Sequence, residues 1–106
     1  MIKVIIPTDL TRESETALKN LTPLFEERAV KIVLFHCVEP ELSSGSMMIN
    51  VSDLLINNAV RKMEHIVSTI EGLLPQAEIE HHVGFGSFNN QLRNYVEAQK
   101  PNLVIL

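Results

Sequence analysis

The chain has 106 residues, of which 45% are hydrophobic and 21% charged, and its formal net charge is -4 at pH 7. This composition predicts a single globular domain over residues 1–106. Because the nine Lys and Arg residues are scattered, we expect no nucleic-acid partner. No apolar run approaches the ~20 residues of a membrane span. The single cysteine fits a reducing compartment, so we expect a cytoplasmic protein.

The first third of the chain predicts a strand, a turn, a helix and a second strand. Residues 1–7 form a buried strand that Pro7 ends, because proline cannot donate to a central ladder. Thr8 or Thr11 caps the helix that follows, and Pro23 predicts a kink near residues 19–21. Residues 30–38 predict the second buried strand. The apolar face of the helix comprises Ala17, Leu18, Leu21, Leu24 and Phe25.

A polar loop over residues 40–51 precedes a long second helix, for which Ser52 is the predicted cap. Gly72 and Pro75 bracket the end of that helix. Its apolar positions recur at intervals of three and four: Ile56, Ala59, Val60, Met63, Ile66, Val67, Ile70 and Leu74.

Residues 78–83 alternate in polarity and predict an edge strand with one wet face. Ile79, His81 and Val83 share one side of it, and Glu78, Glu80 and His82 share the wet side. Ser87 caps a third helix, which carries Phe88, Leu92, Tyr95 and Val96 and stops at Pro101. Residues 103–106 predict a fourth strand that is buried on both faces.

The order of elements, βαβαβαβ, predicts an α/β fold with a doubly wound parallel sheet. The alternating strand belongs at the edge, which gives the strand order 3-2-1-4. Ligands of such sheets bind at the carboxyl ends of the strands, where the strand order reverses. The reversal falls between the first and fourth strands, so Thr8 and Asp9 mark the expected site.

The segments "VIIPTDLTRESETALK", "KIVLFHCVEP" and "VGFGSFNNQLRNYVEAQKPNLVIL" resemble, in this order, those of the universal stress protein family. The resemblance implies a Rossmann-like fold of the adenine nucleotide alpha hydrolase type. It also implies that ATP phosphates bind a glycine-rich loop directly after the fourth strand. We therefore expect that the chain is truncated before this loop and lacks the family's fifth strand. Asn102, Gly86 and Pro23 depart from the family pattern.

The candidate nucleotide-binding residues are Pro7, Thr8, Asp9 and Val38. The resemblance implies that Asp9 faces the adenosine of the nucleotide and that Val38 contacts the adenine. The alternative interpretation of Asp9 is a residue of the turn or a helix cap, and that of Val38 is an ordinary core residue.

Other candidates have weaker patterns. Residues 84–87 form either an anion-binding loop or a tight turn with a serine cap. No pair of histidines has a zinc-binding spacing, so we expect no metal site. Cys37 lies in an apolar strand and reads as a core residue rather than a nucleophile. Residues 47–49, Met-Met-Ile, either cover a ligand or a partner or pack onto the sheet.

We therefore expect a stress-response module of the universal stress protein type that binds ATP and is not an enzyme, with weak ATP hydrolysis left open. The resemblance also implies a homodimer. The alternative is a stress or signalling domain that binds no nucleotide and acts through dimerisation. A nucleotide-dependent transferase or ligase is a third possibility, but "PTDLT" lacks the loop or basic residue that it needs.

Overall fold

The protein is represented by a computed structural model that describes residues 1–26, 28–39 and 48–106, with the backbone alone for residues 48–52. The strands are β1 (Ile2–Pro7), β2 (Val30–Val38), β3 (Glu78–Phe85) and β4 (Leu103–Val104). The α-helices are α1 (Arg12–Leu21), α2 (Met48–Leu73) and α3 (Phe88–Gln99), and a 3-10 turn, Thr22–Phe25, follows α1. None of these helices is long and apolar enough to cross a membrane.

The four strands form one parallel sheet in the order β3-β2-β1-β4, which confirms the predicted fold class and strand order. β1 is paired along its whole length with β2, from Ile2 opposite Val30 to Pro7 opposite Phe35. On its other side, β1 pairs with β4. The strand order therefore reverses between β1 and β4, where the sequence analysis expects a ligand.

Helices cover both faces of the sheet. α1 and α2 pack on one face, over alternate residues of β1 and β2. Six of the predicted α2 positions lie in this core, namely Ala59, Met63, Ile66, Val67, Ile70 and Leu74. α3 packs on the other face, where Ile5, Val33 and Phe35 are completely buried. Because the strands are buried on both sides, their sequences read as nearly continuous apolar runs.

Pro23 does not kink α1, contrary to the prediction. The α-helix ends at Leu21, and Pro23 lies at the start of the 3-10 turn. A backbone N–H at that position has no partner within the helix, so the N–H that proline lacks costs no hydrogen bond. The change of helix type also rotates the chain, so that Leu24 is 62% exposed whereas Phe25 is buried. Ala17 is exposed as well.

α2 begins at Met48, one turn before the predicted cap at Ser52. Each added residue contributes a backbone hydrogen bond once a helix has formed, which favours this extension. The interpretations of residues 47–49 concern side chains that lie outside the described residues.

β4 is not buried on both faces, which corrects another prediction. Leu103 is 48% exposed and Leu106 is 92% exposed. The reason is positional, because β4 pairs with β1 alone among the described strands and α3 packs mainly over β2 and β3. The apolar run therefore indicated the composition of the strand, but it did not indicate which elements pack against the strand.

β3 occupies the predicted edge, but its second face is not simply wet. The His82 ring packs against the rings of both Phe35 and Tyr95, with ring centroids 5.6 and 4.5 Å away. Tyr95 belongs to α3, so this stack joins the helix to the edge strand. α3 has no fully buried residue, which makes the stack a substantial part of its attachment.

Protonation of His82 is expected to weaken this attachment. Partial burial against the aromatic rings, and secondly the neighbouring His81, lower the pKa of His82 below its ordinary value of 6.5. The stability that neutral His82 confers is therefore complete above about pH 6.5 and is lost as the pH falls through the lower folded-state pKa. Glu80, Lys31 and Tyr95 are the other ionisable groups around the stack.

Urea unfolding at pH 7.5 and 5.5 tests this expectation. The wild type should lose more free energy of unfolding between these pH values than His82→Phe, which keeps a ring in the stack and removes the titration. Equal losses in the two proteins, or a His82 pKa above 6.5 in an NMR titration, would contradict it.

Candidate functional site

The carboxyl end of β1 continues into a tightly bonded turn. The Thr8 amide donates to the Phe35 carbonyl oxygen at 2.8 Å, which extends the β1–β2 ladder one residue beyond the strand. Leu10 then has a φ of 63°, a left-handed conformation that is rare for a leucine. The turn therefore leaves the sheet abruptly, directly at the point where the strand order reverses.

Thr8 is 7% exposed, and its side chain faces α1. Its hydroxyl oxygen accepts a hydrogen bond from the Leu10 amide at 3.1 Å and lies 2.7 Å from the Ser14 hydroxyl oxygen. All of these contacts are internal to the turn and the first helical turns. The side chain of Thr8 thus stabilises the turn and the start of α1, and its backbone amide extends the pairing with β2.

Asp9 is exposed on this turn, and one of its carboxylate oxygens accepts two hydrogen bonds from Thr11. The backbone amide is 3.0 Å away and the hydroxyl 2.6 Å away. These bonds, first that of the hydroxyl, lower the pKa of Asp9 below its ordinary value. Asp9 therefore makes the contacts that the turn interpretation predicts, and its ligand role stays a prediction. The carboxylate is therefore ionised at neutral pH and acts only as a hydrogen-bond acceptor.

The cap of α1 settles the choice between Thr8 and Thr11. Thr11 is the N-cap, and its hydroxyl oxygen accepts from the Ser14 amide at 3.2 Å. Asp9 therefore stands just before the helix and orients the capping threonine.

The structure places Pro7 and Val38 on different faces of the sheet. Successive residues of a strand alternate between faces, so Pro7 lies on the α3 side with Ile5, and Val38 lies on the α1 and α2 side with Leu34. The Val38 side chain is 8% exposed, and its carbonyl oxygen accepts from the Gly86 amide at 2.9 Å. The four candidates therefore share the carboxyl edge of the sheet but not one surface, and their ligand roles stay a prediction.

A carboxylate from the residue after β2 caps α3, which the sequence analysis did not foresee. Ser87 is at the N-cap position but its side chain makes no capping bond. Instead, Glu39 accepts from the Phe88 amide at 3.0 Å. This contact favours the tight-turn interpretation of residues 84–87 over an anion-binding loop. No local pattern could reveal it, because the two residues are 49 positions apart.

Cys37 also contacts this turn. Its thiol donates to the Gly86 carbonyl oxygen at 3.1 Å. Burial, and secondly the charge of Glu39, raise the pKa of Cys37. The thiol is therefore protonated at neutral pH, which disfavours a nucleophilic role.

His36 is the second residue that the sequence analysis missed. Its ring nitrogen Nδ1 lies 2.8 Å from the carbonyl oxygen of Thr8 and must donate to it, because a carbonyl oxygen can only accept. The only signal in the sequence was its position near the end of β2, beside the turn after β1. Among residues 1–26, 28–39 and 53–106, no group of His, Cys, Asp or Glu side chains is arranged to hold a metal ion.

Comparisons with known proteins give matches among solved structures alone. No family model and no curated protein sequence matches the chain. A hypothetical protein whose biochemical function was assigned from its structure is similar over 99% of this chain and 73% of its own, with a TM-score of 0.82 and 20% identity.

Two further similar structures are universal stress proteins. UspA from Lactobacillus plantarum matches 99% of this chain and 75% of its own, with a TM-score of 0.80 and 12% identity. A universal stress protein solved in complex with cAMP matches the same shares, with a TM-score of 0.65 and 15% identity. The resemblance drawn from the sequence is thus confirmed at the level of three-dimensional structure, and the chain has the fold of the universal stress proteins.

Proposed function

We propose that the chain is a stress-response module of the universal stress protein type that binds an adenine nucleotide, with ATP as the candidate ligand. The observation that carries the proposal is the ionised carboxylate of Asp9, held on a turn at the carboxyl end of β1 where the strand order reverses. A similar structure solved with cAMP supports the class of ligand.

In this proposal the described residues would contact the adenosine half of the ligand. A carboxylate accepts hydrogen bonds from the two hydroxyl groups of a ribose, and Asp9 is the acidic residue in the turn after β1. Pro7, Thr8 and Val38 would line the same edge of the sheet. The resemblance assigns the phosphates to glycines after the fourth strand.

We propose binding rather than turnover as the output of the site. The thiol of Cys37 is protonated and donates to the Gly86 carbonyl oxygen, which disfavours a nucleophilic role. The proposal includes a cytoplasmic location, for which the single cysteine is the support. Phosphate release from ATP would be measured alongside binding to detect weak hydrolysis.

Two substitutions of Asp9 test the site. Asp9→Asn keeps an oxygen that can accept from Thr11 and removes the charge, whereas Asp9→Ala removes both. Both variants should weaken ATP binding by about 1–3 kcal/mol, the cost of losing a charged hydrogen bond. Isothermal titration calorimetry measures the effect, and urea unfolding should show Asp9→Asn to be closer in stability to the wild type than Asp9→Ala is.

Glu97→Gln is the matched control, because it removes one charge from an exposed position near the far end of α3. It should bind ATP as the wild type does. Wild-type affinity in Asp9→Asn would show that Asp9 serves the turn alone. A wild-type protein that binds neither ATP nor cAMP would refute the proposed function.

The second candidate function is dimerisation without a nucleotide. The exposed apolar side chain of Leu103 in β4, at 48%, favours it because an apolar edge strand promotes association. If this candidate function is correct, ATP should not change the melting temperature, and the measured mass should rise with protein concentration. Leu103→Lys should then lower the mass measured by sedimentation equilibrium, and an unchanged mass would exclude association through this edge.

A further inference from the structure

The turn after β1 is attached to β2 through both backbone groups of one residue. The Thr8 amide donates to the Phe35 carbonyl oxygen, and the Thr8 carbonyl oxygen accepts from His36 Nδ1, each at 2.8 Å. The first bond continues the sheet ladder. The second bond is donated by a side chain, at the point where the chain turns away from the sheet and no longer pairs with the backbone of β2.

The remaining bonds of the turn are local. Leu10 donates to the hydroxyl of Thr8, and Thr11 donates to the carboxylate of Asp9. These bonds fix the internal shape of the turn but not its position on the sheet. Among the described residues, His36 is therefore the side chain from a different strand that ties this turn down.

We propose that His36 is a positioning residue, which holds the Thr8–Asp9–Leu10 turn so that the Asp9 carboxylate is presented to the ligand. The inference rests on the proposed function and extends it to a residue that makes its contact through Thr8. The left-handed Leu10 is a strained conformation that needs support from its surroundings.

Two substitutions separate this role from simple packing. In His36→Asn the side-chain amide nitrogen stands at about the distance of Nδ1 from the backbone and can donate to Thr8. In His36→Leu the ring is replaced by a side chain that fills space and donates nothing. The readouts are amide hydrogen exchange at Leu10 and Thr11 without ligand, and ATP affinity by calorimetry.

In His36→Leu we expect exchange at Leu10 and Thr11 to become about 10-fold faster and ATP binding to weaken about 5- to 10-fold, because the competent turn is less populated. His36→Asn should restore both to within about 3-fold of the wild type. Exchange at Met63 and Ile66, in the core of α2, is the internal control and should not change.

Unchanged exchange in His36→Leu, or an asparagine variant as impaired as the leucine variant, would overturn the positioning role. The exchange experiment needs no nucleotide, so it separates the two proposals. Faster exchange with rescue, in a protein that does not bind ATP, would support the anchor and refute the proposed function. If exchange changes as expected but the wild type, His36→Leu and His36→Asn bind ATP with equal affinity, then His36 does not position the turn for binding.

Discussion

Replacing Phe35 with alanine is expected to lower the free energy of unfolding by about 3–5 kcal/mol, the usual cost of removing a buried aromatic side chain. Phe35 is completely buried at the centre of β2. Its ring lies 5.4 Å from that of Tyr95 and 6.1 Å from that of Phe88, both on α3. The substitution therefore removes apolar burial and the main surface against which α3 packs.

Urea unfolding followed by circular dichroism measures this loss. Leu24→Ala is the control, because Leu24 is also a large apolar residue but is 62% exposed, and its loss should stay within about 0.5 kcal/mol. A loss below about 1 kcal/mol for Phe35→Ala would show that α3 does not depend on this ring and would contradict the packing described for this face.

Gly86→Ala is expected to destabilise the protein by about 1–3 kcal/mol, because Gly86 has a φ of 129°, which side-chain-bearing residues rarely adopt. A β-carbon there would also lie 3.4 Å from the side-chain nitrogen of Gln91. The turn at Gly86 delivers α3 to Glu39, and Gly86 itself bonds to Val38 and Cys37. Strain at this position therefore affects the carboxyl edge of the sheet.

Gly72→Ala is the matched control, in which the same methyl group is added inside the last turns of α2. Nothing lies within 4 Å of the added carbon, so the helix propensity of alanine should raise stability by about 0.5–1 kcal/mol. The two variants should thus shift the midpoint of urea unfolding in opposite directions. Stabilisation by Gly86→Ala would show that the backbone there relaxes to an ordinary conformation.

At the carboxyl edge of the sheet, local sequence patterns predicted only some of the residues that shape the candidate site. Asp9 was found by its place in the chain, since an acidic residue directly after a central strand lies at the reversal of strand order whatever its side chain does. His36 and Glu39 were not found. Their partners are Thr8 and Phe88, which are 28 and 49 residues away, and only the packed sheet brings each pair together.

The sequence by itself determined the fold class, the strand order and the core face of α2, because hydrophobic periodicity and connection length are local properties that fix which residues must be buried. Tertiary structure alone decided the exposure of β4, the aromatic contacts of the half-buried His82 and the end of α1 at Leu21. It also decided the anchors of the site turn. Each of these features depends on which residues of other elements pack beside it, and the sequence pattern of one strand or helix does not specify those residues.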